Sequence, residues 1–215
     1  MRGTSVAAAR PLKLRDEQRL LTSRLFLDAA KRMFSERGYA ATTVDDIVKT
    51  AGASRATFYL HFNSKADVMG AIYESLMPTA AEYWRDLDRS LGSREALRRW
   101  LGQAIDWWAK HRDILPALHE ASTVDREIAT KQYAGLRRLT DELTRYFASA
   151  RRAKKRAEAR LRIELLLSQL DDFCMKWVVQ KTIEADREMV LDVLTEVWGG
   201  TLGVPKAEWR RLSKQ

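Results

Sequence analysis

The 215-residue chain is predicted to be all-α, a small N-terminal bundle feeding a larger helical domain. Three observations carry this prediction. Ten Gly and four Pro are about half the share that average usage of about 7% and 5% supplies, and few turn residues mean few connections and long helices. Apolar residues recur at helical spacing, and no convincing period-two strand pattern interrupts them. Seven Trp, six Tyr and six Phe offer enough apolar surface to offset ordering entropy, which excludes global disorder. A disulfide framework is excluded as well, because Cys174 is the single cysteine.

About nine helices in total follow from the apolar spacing and the stop signals. Residues 1–15 are Ala-rich and basic without periodicity, so a flexible basic arm is expected. From Asp16 to Arg37 an inward stripe runs through Leu21, Leu25, Ala29 and Met33, with Phe26, Ala30 and Phe34 alongside, and Gly38 supplies the left-handed stop. Two very short helices come next, Thr43–Thr50 and Ser54–Phe62, separated by Ala51-Gly52-Ala53. Each begins with a hydroxyl cap, and Thr43-x-x-Asp46 and Ser64-x-x-Asp67 both fit a capping box with Asp in place of Glu.

Long helices follow: Lys65 to about Leu91, bent near Pro78, and Arg94–Lys110 after the Gly92-Ser93 break. A short helix is expected at Pro116–Ser122, with its proline in the first turn, then Arg126–Ala150, Ala153–Lys181 and Asp186–Trp198, the last ended by Gly199-Gly200. The domain division is therefore an arm over 1–15, a small bundle over 16–64 and a larger domain over 65–215. Val6–Ala9 is far shorter than the roughly 7–15 apolar residues of a secretory signal, and no run approaches the roughly 18 of a spanning helix. A cytoplasmic protein without a membrane partner is expected, with Cys174 as a reduced thiol.

Charge is unevenly distributed. The formal total is +9, but residues 1–65 carry +6, residues 66–150 carry −1, residues 151–160 (RRAKKRAEAR) carry +5 and residues 161–215 carry −1. The first block coincides with the two short helices. Two such helices joined by a tight Gly-containing turn are the layout that presents a second helix to the DNA major groove. Val44, Ile47, Val48, Phe58 and Phe62 supply the inward face, leaving Arg55, Ala56, Thr57, Tyr59 and His61 to look outward. Gly52 permits the positive φ that the turn needs.

Gly38-Tyr39, Thr42-Thr43-Val44-Asp45-Asp46-Ile47 and the run from Ala51-Gly52-Ala53-Ser54-Arg55 through Phe58-Tyr59-Leu60-His61-Phe62 to Lys65 together resemble the TetR family of transcriptional regulators. The resemblance covers about fifty residues; beyond them the chain is similar only in layout. It implies an N-terminal three-helix DNA-binding domain with a helix-turn-helix, a C-terminal ligand-binding and dimerisation domain, and a homodimer released from a palindromic operator by a small molecule. Thr43 and Ser54, at helix N-termini, suit phosphate contact, as do Lys65, Tyr59 and His61 through their polar tips. Arg55 and Thr57 are the candidates for base edges, and Ala56 allows close approach to the groove. Leu60 stands where the family often has a second aromatic, and Asp45 puts negative charge near DNA.

In the larger domain Leu97, Trp100, Leu101, Ala104, Ile105 and Trp108 share a broad face, with Trp107 at its edge. The family layout places them with Tyr133, Tyr146, Phe147, Phe173 and Trp177 around an effector cavity below Trp84 and Met77. Trp84, Trp100, Ala104, Trp107, Trp108, Tyr133, Phe173 and Trp177 are the candidate ligand contacts, for a small apolar or aromatic effector. Helices 153–181 and 186–198 are apolar on more than one stripe, which needs more than one neighbour and points to a homodimer through them. Arg151–Arg160 is expected at the far tip, a solvated connector rather than a DNA contact.

His111 and His119, with Asp106, Asp113 and Glu120, match no recognised metal-ligand spacing, so no metal and no cofactor are expected. No nucleophile–base arrangement or phosphate-binding loop is visible, and Gly199-Gly200-Thr201-Leu202-Gly203 follows a helix rather than a strand, so an enzyme is not expected. The alternative to a ligand-responsive repressor is a DNA-binding architectural or scaffold factor of the same fold without an effector.

Overall fold

The computed structural model describes residues 14–76, 80–150 and 152–204. Among the described residues the fold is all-α, as expected: α1 (Leu14–Arg37), α2 (Val44–Ala51), α3 (Arg55–Tyr59), α4 (Lys65–Leu76), α5 (Ala80–Ser90), α6 (Arg94–His111), α7 (Leu115–Val124), α8 (Arg126–Thr140), α9 (Thr144–Ala148), α10 (Ala153–Cys174) and α11 (Arg187–Leu202), with a π-helical turn at Met175–Val179. The expected arm, save Leu14 and Arg15, lies outside the described residues, as do Met77, the expected bend at Pro78, and Arg151.

The small N-terminal bundle packs α1 against α2 and α4. Its centre is aromatic: Phe26 meets Phe58 edge-on at 5.3 Å between centroids and Phe62 at 6.4 Å, and Ile47, Val68 and Met69 close the core around them. The α1 stripe is only half used. Ala29 and Met33 are buried, but Leu21 and Leu25 are 59% and 57% exposed. At about 36 Å, α1 outruns the short helices available to cover it.

Two expected helices are divided or extended. The segment 65–91 is described as α4 and α5, with residues 77–79 outside the described residues. The segment 126–150 breaks after Thr140 because the buried Asp88 of α5 accepts the backbone N–H groups of Arg145 (2.8 Å) and Tyr146 (2.9 Å), starting a new helix from across the fold. α11 continues through Gly199-Gly200 to Leu202 and is capped by Gly203 at φ 80°. A helical glycine costs about 1 kcal/mol relative to alanine, and burial of Trp198 and Leu202 on either side offsets it.

The large domain buries α6 against α5 and α11. Trp100 stacks on Tyr83 at 4.5 Å, donates its Nε1–H to the Tyr83 carbonyl at 2.9 Å and lies 5.4 Å from the fully buried Trp198. In the second basic block, Arg160 pairs with Asp141 and lies over the Phe147 ring, tying that segment to α9.

Candidate nucleic-acid interface and cavity

The turn between α2 and α3 is fixed by local chemistry. Thr43 caps α2: its Oγ1 accepts the Asp46 N–H at 3.1 Å, while the Asp46 carboxylate accepts from Thr43 N–H at 3.0 Å, completing the expected capping box. Gly52 ends α2 at φ 64°, and the Ala53 N–H reaches back to the Val48 carbonyl at 3.0 Å. Ser54 then caps α3 by accepting the Thr57 N–H at 3.0 Å. The Ser64 box is half formed, because the Asp67 carboxylate accepts from Asn63 rather than from Ser64.

α3 is shorter than expected, spanning Arg55–Tyr59, with Leu60 and His61 in a turn. Arg55, Ala56, Tyr59 and Leu60 are exposed, whereas Thr57 is half-buried and its hydroxyl lies 2.9 Å from that of Ser54. Arg55 is held in place, with its guanidinium 3.0 Å from the Asp45 carboxylate and within reach of the Tyr59 hydroxyl. Asp45 thus orients the base-edge candidate.

Two of the expected contacts sit differently. His61 is half-buried against Phe26, 5.9 Å between ring centroids, at the edge of the core. Lys65, expected to anchor phosphate, spends its ammonium on the protein: Nζ donates to the carbonyls of Tyr39 (2.8 Å), Ala40 (3.2 Å) and Thr42 (2.8 Å) and lies 4.4 Å from the Tyr39 ring centroid. An ammonium has three protons, so none is left over. Partial burial pulls its pKa down, opposed by Glu120 and Asp125.

The same turn is gripped from the opposite side by α7. Glu120 accepts the backbone N–H of Tyr39 at 2.7 Å and of Ala40 at 3.3 Å, and Asp125 accepts the Tyr39 hydroxyl at 3.2 Å. Burial and the neighbouring Asp125 push the Tyr39 phenol well above its ordinary pKa, so it stays a donor. Gly38, at φ 80°, leaves room for this grip: a Cβ there would come within 2.7 Å of Glu120 Oε2. Eighty residues separate these partners, so no signal in the sequence identifies Glu120.

α7 also walls a partly open cavity of about 580 Å³ lined by α4, α5, α6, α7, α8 and α10. Trp84, Trp100, Ala104, Trp107, Trp108 and Tyr133 line it, as expected from the sequence. Phe173 and Trp177 do not: they stack on one another at 5.8 Å, and Trp177 donates its Nε1–H to the Ala185 carbonyl at 3.1 Å, outside the lining. Phe173 ends regular α10, while Trp177 sits in the π-helical turn at Met175–Val179, whose phase an uninterrupted 153–181 helix does not anticipate. Missed residues include Tyr73, Gln132 and Asp171; Ser168 and Asp171, three apart and so on one helix face with Leu167, were the available signal.

His119 and Glu120 point to different tasks. His119 Nδ1 lies 3.8 Å from the Asp171 carboxylate beside the cavity, while Glu120 faces the N-terminal bundle. Cys174 is fully buried, and burial, with Asp171 behind it, pushes its thiol up to about 12, so it is held protonated. No helix among the described residues is long and apolar enough to cross a membrane.

Residues 26–72 match the family model described as bacterial regulatory proteins, tetR family. The chain is 27% identical to the uncharacterized HTH-type transcriptional regulator YerO of Bacillus subtilis over 105 residues, 47% of this chain and 36% of that protein. It is 45% identical to the HTH-type transcriptional regulator TtgR of Pseudomonas putida over 53 residues, a quarter of each chain. The chain therefore matches well under two thirds of the length of these relatives. Among solved structures, a TetR-like transcriptional regulator from Rhodococcus sp. RHA1 superposes with a TM-score of 0.54 at 22% identity, over 96% of this chain and 100% of that one. Residues 26–72 thus carry the DNA-binding segment described by the tetR family model, and the helical domain behind them has the fold of the solved structures it resembles.

Proposed function

We propose that the protein is a sequence-specific DNA-binding transcriptional repressor, released from a palindromic operator by a small apolar or aromatic effector in the cavity. The observation that carries this is the double duty of α7, which walls the cavity through Leu118, His119 and Ser122 and grips the N-terminal bundle through Glu120. An occupant that displaces α7 acts on the α1–α2 turn, and so on the two short helices. A purely architectural factor has no use for that link.

On this reading residues 16–64 read DNA, with Arg55 and Thr57 toward base edges, Ala56 close to the groove, and Thr43, Ser54 and Tyr59 toward phosphates. Lys65 and His61 support the bundle from within. The test is fluorescence anisotropy with duplex DNA from upstream of the protein's own gene. Wild type is expected to bind with an affinity that falls steeply as salt rises, and Arg55→Ala plus Tyr59→Ala to lose at least about tenfold. No binding at low salt would return the case to a non-DNA role.

Residues 65–215 are proposed to hold the effector and the dimer interface. Leu161 and Leu165 on α10, and Met189, Val193 and Val197 on α11, form exposed apolar stripes at four-residue spacing, Leu165 being 60% and Val193 55% exposed. Their buried counterparts Leu166, Leu170, Leu194 and Trp198 face the core of the same chain, so each helix is apolar on two sides. Leu165→Glu plus Val193→Glu is expected to convert a dimer to a monomer in sedimentation at micromolar concentration while leaving the helical circular dichroism unchanged. A wild-type monomer would remove the two-fold arrangement.

A further inference from the structure

We propose that the molecule the cavity takes is a flat aromatic monocation, its ring system packed among Trp100, Trp107 and Trp108 and its charge set against the Asp171 carboxylate. The inference rests on the cavity being the effector site and names the chemical class of that effector.

Among the described residues that line the cavity, seven are Trp or Tyr, none is Lys or Arg, and Asp171 is the one carboxylate. Aromatic faces carry negative potential, so a wall of indoles and phenols favours a cation before any formal charge is counted. Asp171 adds that charge. Its nearest cationic partner is the His119 imidazole at 3.8 Å, beyond hydrogen-bonding distance, which leaves carboxylate oxygens free to meet a ligand. The carboxylate is felt through the wall: it adds to the burial that holds the Tyr73 phenol and the Cys174 thiol above their ordinary ranges. Partial burial raises the pKa of Asp171 itself, yet its side chain is 55% exposed, so the carboxylate is open to an incoming cation rather than sealed in the core.

Gln132 adds a second requirement. Its amide nitrogen is buried at the cavity wall without a hydrogen-bond partner, so the cavity also holds a donor that an acceptor atom on the occupant would satisfy. An anionic occupant would bury its charge beside a carboxylate with no Lys or Arg in the lining to offset it. A neutral aromatic would gain the stacking alone. The cation gains the aromatic faces and the Asp171 carboxylate together.

Three ring systems of nearly the same shape separate these cases: acridine, which is neutral, aminoacridine, which is cationic, and acridine carboxylate, which is anionic. Each is titrated calorimetrically into the full chain without DNA at about pH 8, above the range in which imidazole ordinarily carries charge. Aminoacridine is expected to bind at least about tenfold tighter than acridine, with the carboxylate weakest. Asp171→Asn is expected to bring aminoacridine down to the affinity of acridine while leaving acridine itself unchanged, which also shows that the variant is folded. Asp172→Asn, whose native carboxylate pairs with Lys176 at 2.8 Å outside the lining, should keep the preference. Equal binding of all three, tightest binding of the carboxylate, or a cation preference that survives Asp171→Asn overturns the charge assignment and leaves the cavity a ligand site. Binding of none of them by folded wild type overturns the cavity reading as well.

Discussion

Phe58→Ala should abolish DNA binding and melt the N-terminal bundle ahead of the rest of the molecule. Phe58 is fully buried, edge-on to Phe26 and 5.8 Å from Phe62, and α3 is a five-residue helix with little hydrogen bonding of its own to fall back on. Truncating such a ring costs about 3–5 kcal/mol. The loss falls on a small core, because the aromatic cluster and Ile47 are most of what α2 and α3 bury. All seven Trp stand at position 84 or beyond, so the two lobes can be followed separately. Far-ultraviolet circular dichroism of the variant should show an early transition that Trp fluorescence does not. If both probes shift together, the bundle and the larger domain unfold as one unit and the α7 grip is stronger than its hydrogen bonds suggest.

Glu120→Ala should separate effector binding from DNA release. The carboxylate is outside the cavity lining and away from the exposed face of α3, so affinities for effector and for DNA, measured one at a time, should stay close to wild type. Two charge-assisted hydrogen bonds to the α1–α2 turn are lost, worth about 2 kcal/mol of stability together. Coupling between sites typically amounts to 1–3 kcal/mol, about 5–150-fold in affinity, and most of that should vanish from the operator anisotropy curve measured with saturating effector. Glu120→Gln keeps an acceptor and should retain part of the response. Gly38→Ala arrives at the same break from the other side, since its Cβ would press on Oε2 from a backbone conformation that side chains rarely adopt. Full release in Glu120→Ala would mean that the signal travels through α4 instead.

Much of the fold was legible because it is written locally. Thr43, Gly52 and Ser54 cap and stop their helices through groups at most five residues away, and period and glycine placement located α2 and the start of α3 almost to the residue. What misled was a pattern without its neighbours: Leu21 and Leu25 fit the stripe of α1, yet among the described residues they stay exposed. Gly199-Gly200 reads as a stop, yet packing around Trp198 carries the helix through it.

The candidate site divides in the same way. The exposure of Arg55 and Tyr59 was legible because it follows from helix phase and caps. Lys65 was assigned to phosphate because a lysine at a helix start looks available, and only the folded α1–α2 turn supplies the three carbonyls that consume it. Trp177 lies within a π-helical turn whose register no periodicity encodes, and Phe173, just before it, stacks on Trp177 rather than lining the cavity. By itself the sequence determined the helical class, the helix-turn-helix and the end of the molecule that carries the charge, since these rest on contacts within a few residues. The tertiary structure alone decided which polar groups are spent and which are free: Asp88 starting α9, Glu120 holding Tyr39 and Asp171 facing the cavity, because each is satisfied, or left unsatisfied, by partners that only folding brings near.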